Sequence, residues 1–340
     1  MKEKTTICSA EQKGDGMKYC FIINPASGKP ETKANLENKI NQVAKEKGID
    51  VTVLYTRKAG DARELIVSFT EEHWNEDIQF YACGGDGTLC EAVNGMMAIE
   101  PERRERVSLG VVPVGTGNDF VRSFENNELF SSIAAQMDAE NIRIDLMRCN
   151  DFYAVNMINI GFDCQVVVKT GDYKKKKYIP SKMAYICGLI ATLVKKPSVN
   201  MTLTNGESEG EKKNFLLTTF AKGNFCGGGF NSNPEASLTD GKINALFVNN
   251  ISRIRFVSIV GKYKTGTHLC PKYADILTSE KAEEYLMRFN EPTDVSVDGE
   301  IVKTKELRLS CIRGAVNFLV PKGAAYIKAL TSVQPETAGV

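Results

Sequence analysis

The sequence predicts two kinds of fold in series, an α/β domain with a largely parallel sheet followed by an antiparallel β domain built as a sandwich. Strand and helix patterns alternate from Lys18 to Ile144, and such alternation implies βαβ units covered on both faces. After Ile144 the texture changes to short runs rich in β-branched residues with turn residues between them, as antiparallel strands require. At 340 residues the chain is also longer than most single cores.

In the first part "YCFIINP", "DVTVLYTR", "IQFYACGG" and "SLGVVPVG" read as strands. The segments "TKANLENKINQVAKEKG", "GDARELIVSFTEEH", "TLCEAVNGMM", "NDFVRSF" and "ELFSSIAAQMD" read as helices. In the second part the strands are "RIDLMRC", "YAVNMINIGF", "VNMTLTNG", "NFLLTTFAKGNF", "GKINALFV", "TDVSVDGEIV", "ELRLSCI" and "AVNFLVP". Helical material is expected near 178–195 and around 252–265. Residues 1–17 read as a disordered polar leader and 325–340 as a tail, leaving 18–144 and 145–324 as the two domains.

Composition narrows the function classes. With 43 basic and 42 acidic residues the net charge is +1, so no bulk field points to nucleic acid. Two histidines and ten scattered cysteines without a CxxC pair leave little material for zinc or a His-based triad. They suit buried free thiols in a reducing cytosol. The longest apolar stretch, at 183–194, is too short to span a bilayer.

Each strand of the first domain ends in a polar or glycine-rich break: "NPASGK", "TRKAGDA", "GGDGT" and "PVGTGND". In a parallel sheet those breaks share one edge, where ligands bind, so they describe a single anion-binding rim. Glycines there let backbone N–H groups approach a ligand, and the helix that follows Thr88 offers its positive N-terminus to phosphate. "FIINPASGK" is not a Walker loop, because Gly28-Lys29 is followed by Pro30. Asp86 repels phosphate directly and must act through a bound Mg²⁺ or by fixing its loop. Asn118 and Asp119 read either as a helix cap or as ligand contacts.

Taken in order, Asn24-Pro-Ala-Ser-Gly28, Thr56, Gly84-Gly-Asp-Gly-Thr88, Asn94-Gly95, Gly115-Thr-Gly-Asn-Asp119, Gly161-Phe-Asp163 and Asp298-Gly-Glu300 resemble the diacylglycerol kinase catalytic-domain family. Bacterial soluble diacylglycerol kinases and YegS-type lipid kinases belong to it, with sphingosine and ceramide kinases as relatives. The likeness runs over about residues 18–322. It implies an NAD-kinase or phosphofructokinase-like nucleotide domain, then the β-sandwich, with ATP as co-substrate, Mg²⁺, and γ-phosphoryl transfer to a lipid hydroxyl. By position, nucleotide contacts fall to Asn24, Pro25, Ala26, Ser27, Gly28, Thr56, Gly84, Gly85, Asp86, Gly87, Thr88, Glu91, Gly115, Thr116 and Asn118.

The resemblance makes Asp298 and Glu300 the candidates for proton acceptor, without choosing between them. Read without it, "VSVDGEIV" is a plain hairpin turn. Asp240 and the backbone carbonyl of Lys242 match a family Mg²⁺ site, although Ser237 stands where relatives offer a second acid, and an Asp-Gly turn is the alternative. Lys174, Lys175, Lys176 and Lys177 read as a solvated face or as a patch for an anionic membrane surface.

The expected protein is a cytoplasmic lipid kinase, peripherally associated with the inner face of the membrane and a possible homodimer. Diacylglycerol is the first acceptor to consider. Other expectations are a kinase for a sphingoid base, monoacylglycerol or phosphatidylglycerol, then an NAD kinase, then a sensing module without turnover.

Overall fold

A computed structural model describes residues 5–6, 16–28, 30–174, 187–188, 191–195, 197–205 and 210–327. The first part runs β1 (Met17–Ile23), α1 (Pro30–Lys47), β2 (Val51–Tyr55), α2 (Asp61–Glu72), β3 (Asp77–Gly84), α3 (Asp86–Ala98) and β4 (Val107–Pro113). The four strands pair in parallel in the order β2-β1-β3-β4. Their unbroken apolar runs are buried on both faces, as a sheet covered by helices on either side demands. One face packs Ile22, Phe80 and Leu109 against Ile66, Phe69, Val93 and Met96 of α2 and α3. The other packs Phe21, Tyr81 and Cys83 against Leu36 and Ile40 of α1.

Several boundaries differ from the sequence reading. Thr5–Thr6 pairs antiparallel with β2, so this piece of the expected leader lies on the sheet edge; residues 1–4 and 7–15 lie outside the described residues. Helix α3 begins at Asp86 rather than Thr88, with Gly85 at the cap position. The expected helices at 118–124 and 128–138 are instead the 3₁₀ turns Phe120–Ser123 and Asn127–Ser131 and the short helix Ile133–Met137. Asn118 and Asn126 adopt φ of 51°, which interrupts a right-handed run. The interruption lets Phe120, Phe124 and Phe130 close on Phe318, with ring centroids 5.2, 6.0 and 6.3 Å away.

The second part comprises β5 (Glu140–Cys149), β6 (Phe152–Ala154), β7 (Met157–Gly161), α4 (Phe162–Lys174), β8 (Val199–Thr204), β9 (Glu211–Ala221), β10 (Ile243–Asn249), α5 (Arg253–Thr265), β11 (Leu277–Ala282), β12 (Glu284–Val297) and β13 (Glu300–Val320). Strands β7 and β8 lie end to end between β9 and β12. The antiparallel sheet closes over a core that includes Met147, Ile158, Phe215, Phe220, Tyr285, Met287 and Leu309. Helix α4 has no counterpart in the sequence reading, because Val166, Val167 and Val168 resemble strand. Its buried residues include Phe162, Val166 and Thr170, spaced four apart, with Cys164 buried between them; the four-residue spacing is helical. Of the helix expected near 178–195, residues 187–188 and 191–195 are helical, and 178–186 lie outside the described residues.

The 21-residue strand β13 ties the parts together. It forms a hairpin with β12, pairs with β5, and at Asn317–Phe318 runs parallel to Ser108–Leu109 of β4. Parallel and antiparallel halves therefore share one hydrogen-bonded sheet, and β5 runs straight across the boundary expected between 144 and 145. Among the described residues no helix is long and apolar enough to cross a membrane.

Phe318 is fully buried against three aromatic rings at this junction. Phe318→Ala is expected to lower the unfolding free energy by about 3–5 kcal/mol, read from urea denaturation. A loss below about 1 kcal/mol would show that the junction does not depend on this ring.

Candidate active site

Four loops at the carboxyl ends of β1 to β4 meet at one edge, and their glycines stand where a side chain would collide with neighbouring backbone or with Thr88. A Cβ on Gly84 would lie 2.2 Å from Thr88 Oγ1, one on Gly28 2.5 Å from the Val114 carbonyl oxygen, and one on Gly115 2.6 Å from the Gly85 Cα. Asn24 locks the arrangement: its Nδ2 donates to Thr88 Oγ1 at 2.9 Å and its Oδ1 accepts from the Ala26 N–H at 2.9 Å. Asn118 caps no helix. Its Nδ2 donates to the Gly115 carbonyl at 2.9 Å, and its buried Oδ1 accepts no hydrogen bond.

Two hollows flank this rim. A recess of about 340 Å³ is lined by Asn24, Pro25, Ala26, Thr56, Thr88 and Glu91. A cleft of about 1010 Å³ lies between the rim and the β half, bounded on the rim side by Ser27, Gly28, Asp86, Gly87, Gly115 and Thr116. Gly84 and Asn118 line neither; they support the loops that do. Glu91 also holds the rim, because its Oε2 accepts from the Ala62 N–H at the start of α2, at 3.3 Å.

A third cavity of about 280 Å³ opens from the wall of the cleft where both are lined by Asn159, Val167, Cys226 and Gly227. Its remaining walls are mostly apolar, from Phe162, Val166, Phe230, Phe256 and Val260. Asp163 supplies a polar exception, accepting from Tyr263 Oη at 2.9 Å. Burial pushes the Asp163 carboxyl up to about 6, against the pull of that hydrogen bond.

The structure separates the two candidate acids. Asp298, at φ 47°, spends its carboxylate on the backbone: Oδ2 accepts from Val155 N–H at 2.7 Å, and Oδ1 from Asn156 at 3.1 Å and Met157 at 2.7 Å. Burial, opposed by these donors, raises its carboxyl to about 6. Glu300 is exposed and lines both the recess and the cleft. Its Oε1 lies 3.9 Å from where a Cβ on Gly87 would stand, beside the first turn of α3.

Asp86 Oδ1 accepts from the Phe120 N–H at 3.2 Å, and its Oδ2 lies 3.1 Å from a Cβ placed on Gly117. Asp119 stands on the other side of Gly117, with Oδ2 3.8 Å from that point. Burial and the nearby Asp86 charge push the Asp119 carboxyl upward, although Oδ2 accepts from the Gly228 N–H at 2.8 Å. The sequence left Asp119 open between a helix cap and a ligand contact. The motif position was visible, but its contact with residue 228, on the far side of the cleft, was not.

At the expected Mg²⁺ position the structure places two ammonium groups around Asp240 and the Lys242 carbonyl. Lys222 Nζ lies 3.0 Å from Asp240 Oδ1 and 2.8 Å from the Lys242 carbonyl oxygen, and Lys281 Nζ lies 2.9 Å from Asp240 Oδ2. A metal cation there would meet two ammonium groups, so the residues do not fit one. Ser237 Oγ accepts from the Thr239 N–H. Of the expected membrane patch, Lys174 ends α4 and Lys175 to Lys177 lie outside the described residues.

Two family models match the chain: the diacylglycerol kinase catalytic domain over residues 18–149, and the YegS C-terminal NAD kinase beta sandwich-like domain over 156–320. A diacylglycerol kinase of Staphylococcus aureus is 28% identical over 287 residues, covering 82% of this chain and 85% of its own. The diacylglycerol kinase of Staphylococcus saprophyticus is 29% identical over 251 residues, covering 73% and 78%. A crystal structure from Bacillus anthracis superposes with a TM-score of 0.71 at 22% identity, covering 90% of this chain and 95% of the other. A further one, of a diacylglycerol kinase from the same organism, gives 0.65 at 19%, covering 90% and 97%. Both share the fold.

Because Asp298 holds three backbone N–H groups, Asp298→Asn is expected to lower stability by about 2 kcal/mol or more, measured by thermal melting. An unchanged melting temperature would mean that its carboxylate does not hold residues 155–157.

Proposed function

This chain belongs to the diacylglycerol kinase catalytic-domain family of lipid kinases, and from that membership we propose that it transfers the γ-phosphoryl group of ATP to the hydroxyl of diacylglycerol. The observation that carries the proposal is the position of Glu300 where recess and cleft meet, with an apolar cavity opening from the same cleft. ATP takes the recess, with its phosphates directed along the glycine loops toward the N-terminus of α3. Acyl chain fills the apolar cavity, which brings the lipid hydroxyl into the cleft. Glu300 accepts the hydroxyl proton as the oxygen bonds to the γ-phosphorus, and the bond to the β-phosphate oxygen breaks to release ADP.

Magnesium fits this scheme as a companion of the nucleotide. Among the described residues no group of three or more His, Cys, Asp or Glu side chains forms a metal cage. The Asp86 and Asp119 carboxylates beside Gly117 are hard oxygen donors of the kind that hold Mg²⁺ together with phosphate oxygens. When bound, the ion neutralises charge on the phosphates.

One observation favours a second acceptor, a sphingoid base: the Asp163 carboxyl inside the apolar cavity would pair with an ammonium group. Parallel phosphorylation assays with diacylglycerol and sphingosine in mixed micelles decide between the two.

Membrane contact is proposed at the mouth of that cavity. Ile254 is 86% exposed and Val257 55% on α5, and Val194 beside them is 66% exposed. Arg253 donates to the carbonyls of Leu193 and Val194, and Arg255 lies in the same turn. Apolar residues among cations suit an interfacial surface.

Three outcomes are expected. Glu300→Gln abolishes turnover while melting normally and binding ATP; residual activity above a few per cent would remove Glu300 as the base. Ile254→Asp with Val257→Asp lowers activity on anionic vesicles at least tenfold and leaves activity on a short-chain, water-soluble acceptor intact; equal loss on both would place these residues in catalysis rather than docking. The third concerns pH. Asp163 titrates near 6 when folded and about 3.9 when unfolded, so the wild type holds an extra proton in that window and loses this advantage as pH rises through 6. Asp163→Asn should therefore gain up to about 3 kcal/mol over wild type above pH 6 and little below about pH 4, measured by urea denaturation across pH. A gain independent of pH would deny the raised carboxyl.

A further inference from the structure

Lys222 is fully buried, an unusual place for an ammonium group. It follows the last residue of β9, and its Nζ has three oxygen partners: Asp145 Oδ2 at 2.9 Å, Asp240 Oδ1 at 3.0 Å and the Lys242 carbonyl at 2.8 Å. These come from β5 and from the turn before β10, elements far apart in the chain. The Asp145 carboxylate also accepts from the N–H groups of Gly241 at 2.7 Å and Gly314 at 2.8 Å. A pair of carboxylates and a carbonyl converging on one buried point is the donor set of a hard cation.

The structure assigns to the Lys222 ammonium the place of a bound divalent cation: a tethered positive charge holds together the Asp145 carboxylate, the Asp240 carboxylate and the Lys242 carbonyl. The turn at 240–242 is then fixed by the chain itself and stays fixed under chelation. Lys222 also positions the cleft wall, because its own N–H and that of Gly223 both donate to the Asn156 carbonyl, at 3.0 and 3.1 Å. The loop that follows carries Cys226 and Gly227 into the cleft. Lys281 Nζ sits on the other Asp240 oxygen, 2.9 Å from Oδ2, so removing the Lys222 side chain while keeping the oxygens opens a site for Mg²⁺ or Ca²⁺ on the Oδ1 side. This inference is independent of the lipid acceptor and of turnover.

The experiment compares wild type, Lys222→Ser, Lys222→Met and the double variant Lys222→Ser with Asp240→Asn. Each is melted without nucleotide in EDTA and in millimolar MgCl₂ or CaCl₂. Wild type is expected to melt at the same temperature in all three. Lys222→Ser is expected to melt roughly 10 °C lower in EDTA, since two carboxylates lose their buried partner. Divalent cation should recover at least half of that loss in Lys222→Ser. It should recover none in Lys222→Met, where the apolar chain fills the space, or in the double variant. A wild type that loses stability in EDTA would overturn the inference by revealing a resident metal. So would a Lys222→Ser protein whose response to cations matches that of Lys222→Met, or one that does not fold even when refolded with Ca²⁺.

Discussion

The strand Glu300–Val320 is the constraint on which the rest of the structure depends. It begins at the acid that faces the cleft and ends in parallel pairing with β4 of the nucleotide-side sheet. Along the way it pairs with β12 and β5. Because one hydrogen-bonded ladder carries Glu300 and pairs with the strand that leads into the glycine rim, the acid and the rim keep a fixed relation. A loose linker between two domains would not place a carboxylate beside the first turn of α3 with that regularity. In phosphoryl transfer, where the protein mainly positions and neutralises, this rigidity is the contribution the fold makes.

The rim obeys a second constraint, that of space. Gly84, Gly28 and Gly115 each face an atom closer than any Cβ tolerates, so the loops converge only with glycine at those places. The same convergence brings Gly28, Gly85, Gly87 and Gly115 to the cleft wall. Replacing these glycines would open the rim before it altered any single ligand contact.

Charge is arranged in two separated groups. Asp86, Asp119 and Asp298 gather around the cleft, and burial, with the nearby Asp86 charge, raises the carboxyls of Asp119 and Asp298. Arg122, with its Nε 3.4 Å from Asp119 Oδ1, offsets part of that concentration. In the β half Asp145 and Asp240 meet a fully buried cation of the chain, Lys222. Both groups frame the cleft wall, one through Asp119 and Gly228, the other through the strand end at Lys222.

Alternation of strand and helix up to Ile144, the loops at the strand ends and the later β texture were legible in the sequence, because hydrophobic periodicity and glycine placement are local properties. Asn24, Thr88 and Gly115 were named for the same reason, and Glu300 through the family resemblance of its motif. Helix α4 was not legible, since its valines carry strand propensity and only the four-residue spacing of buried Phe162, Val166 and Thr170 decides for helix. The different surroundings of Asp298 and Glu300, two positions apart, come from the backbone N–H groups of residues 155–157, which only the fold delivers. Likewise the Asp240 turn read as a metal site until Lys222, 18 residues away in sequence, occupied it. Sequence alone determined which residues are chemically able to build the site; tertiary structure decided which carboxylates are spent on holding the chain and which remain free to act.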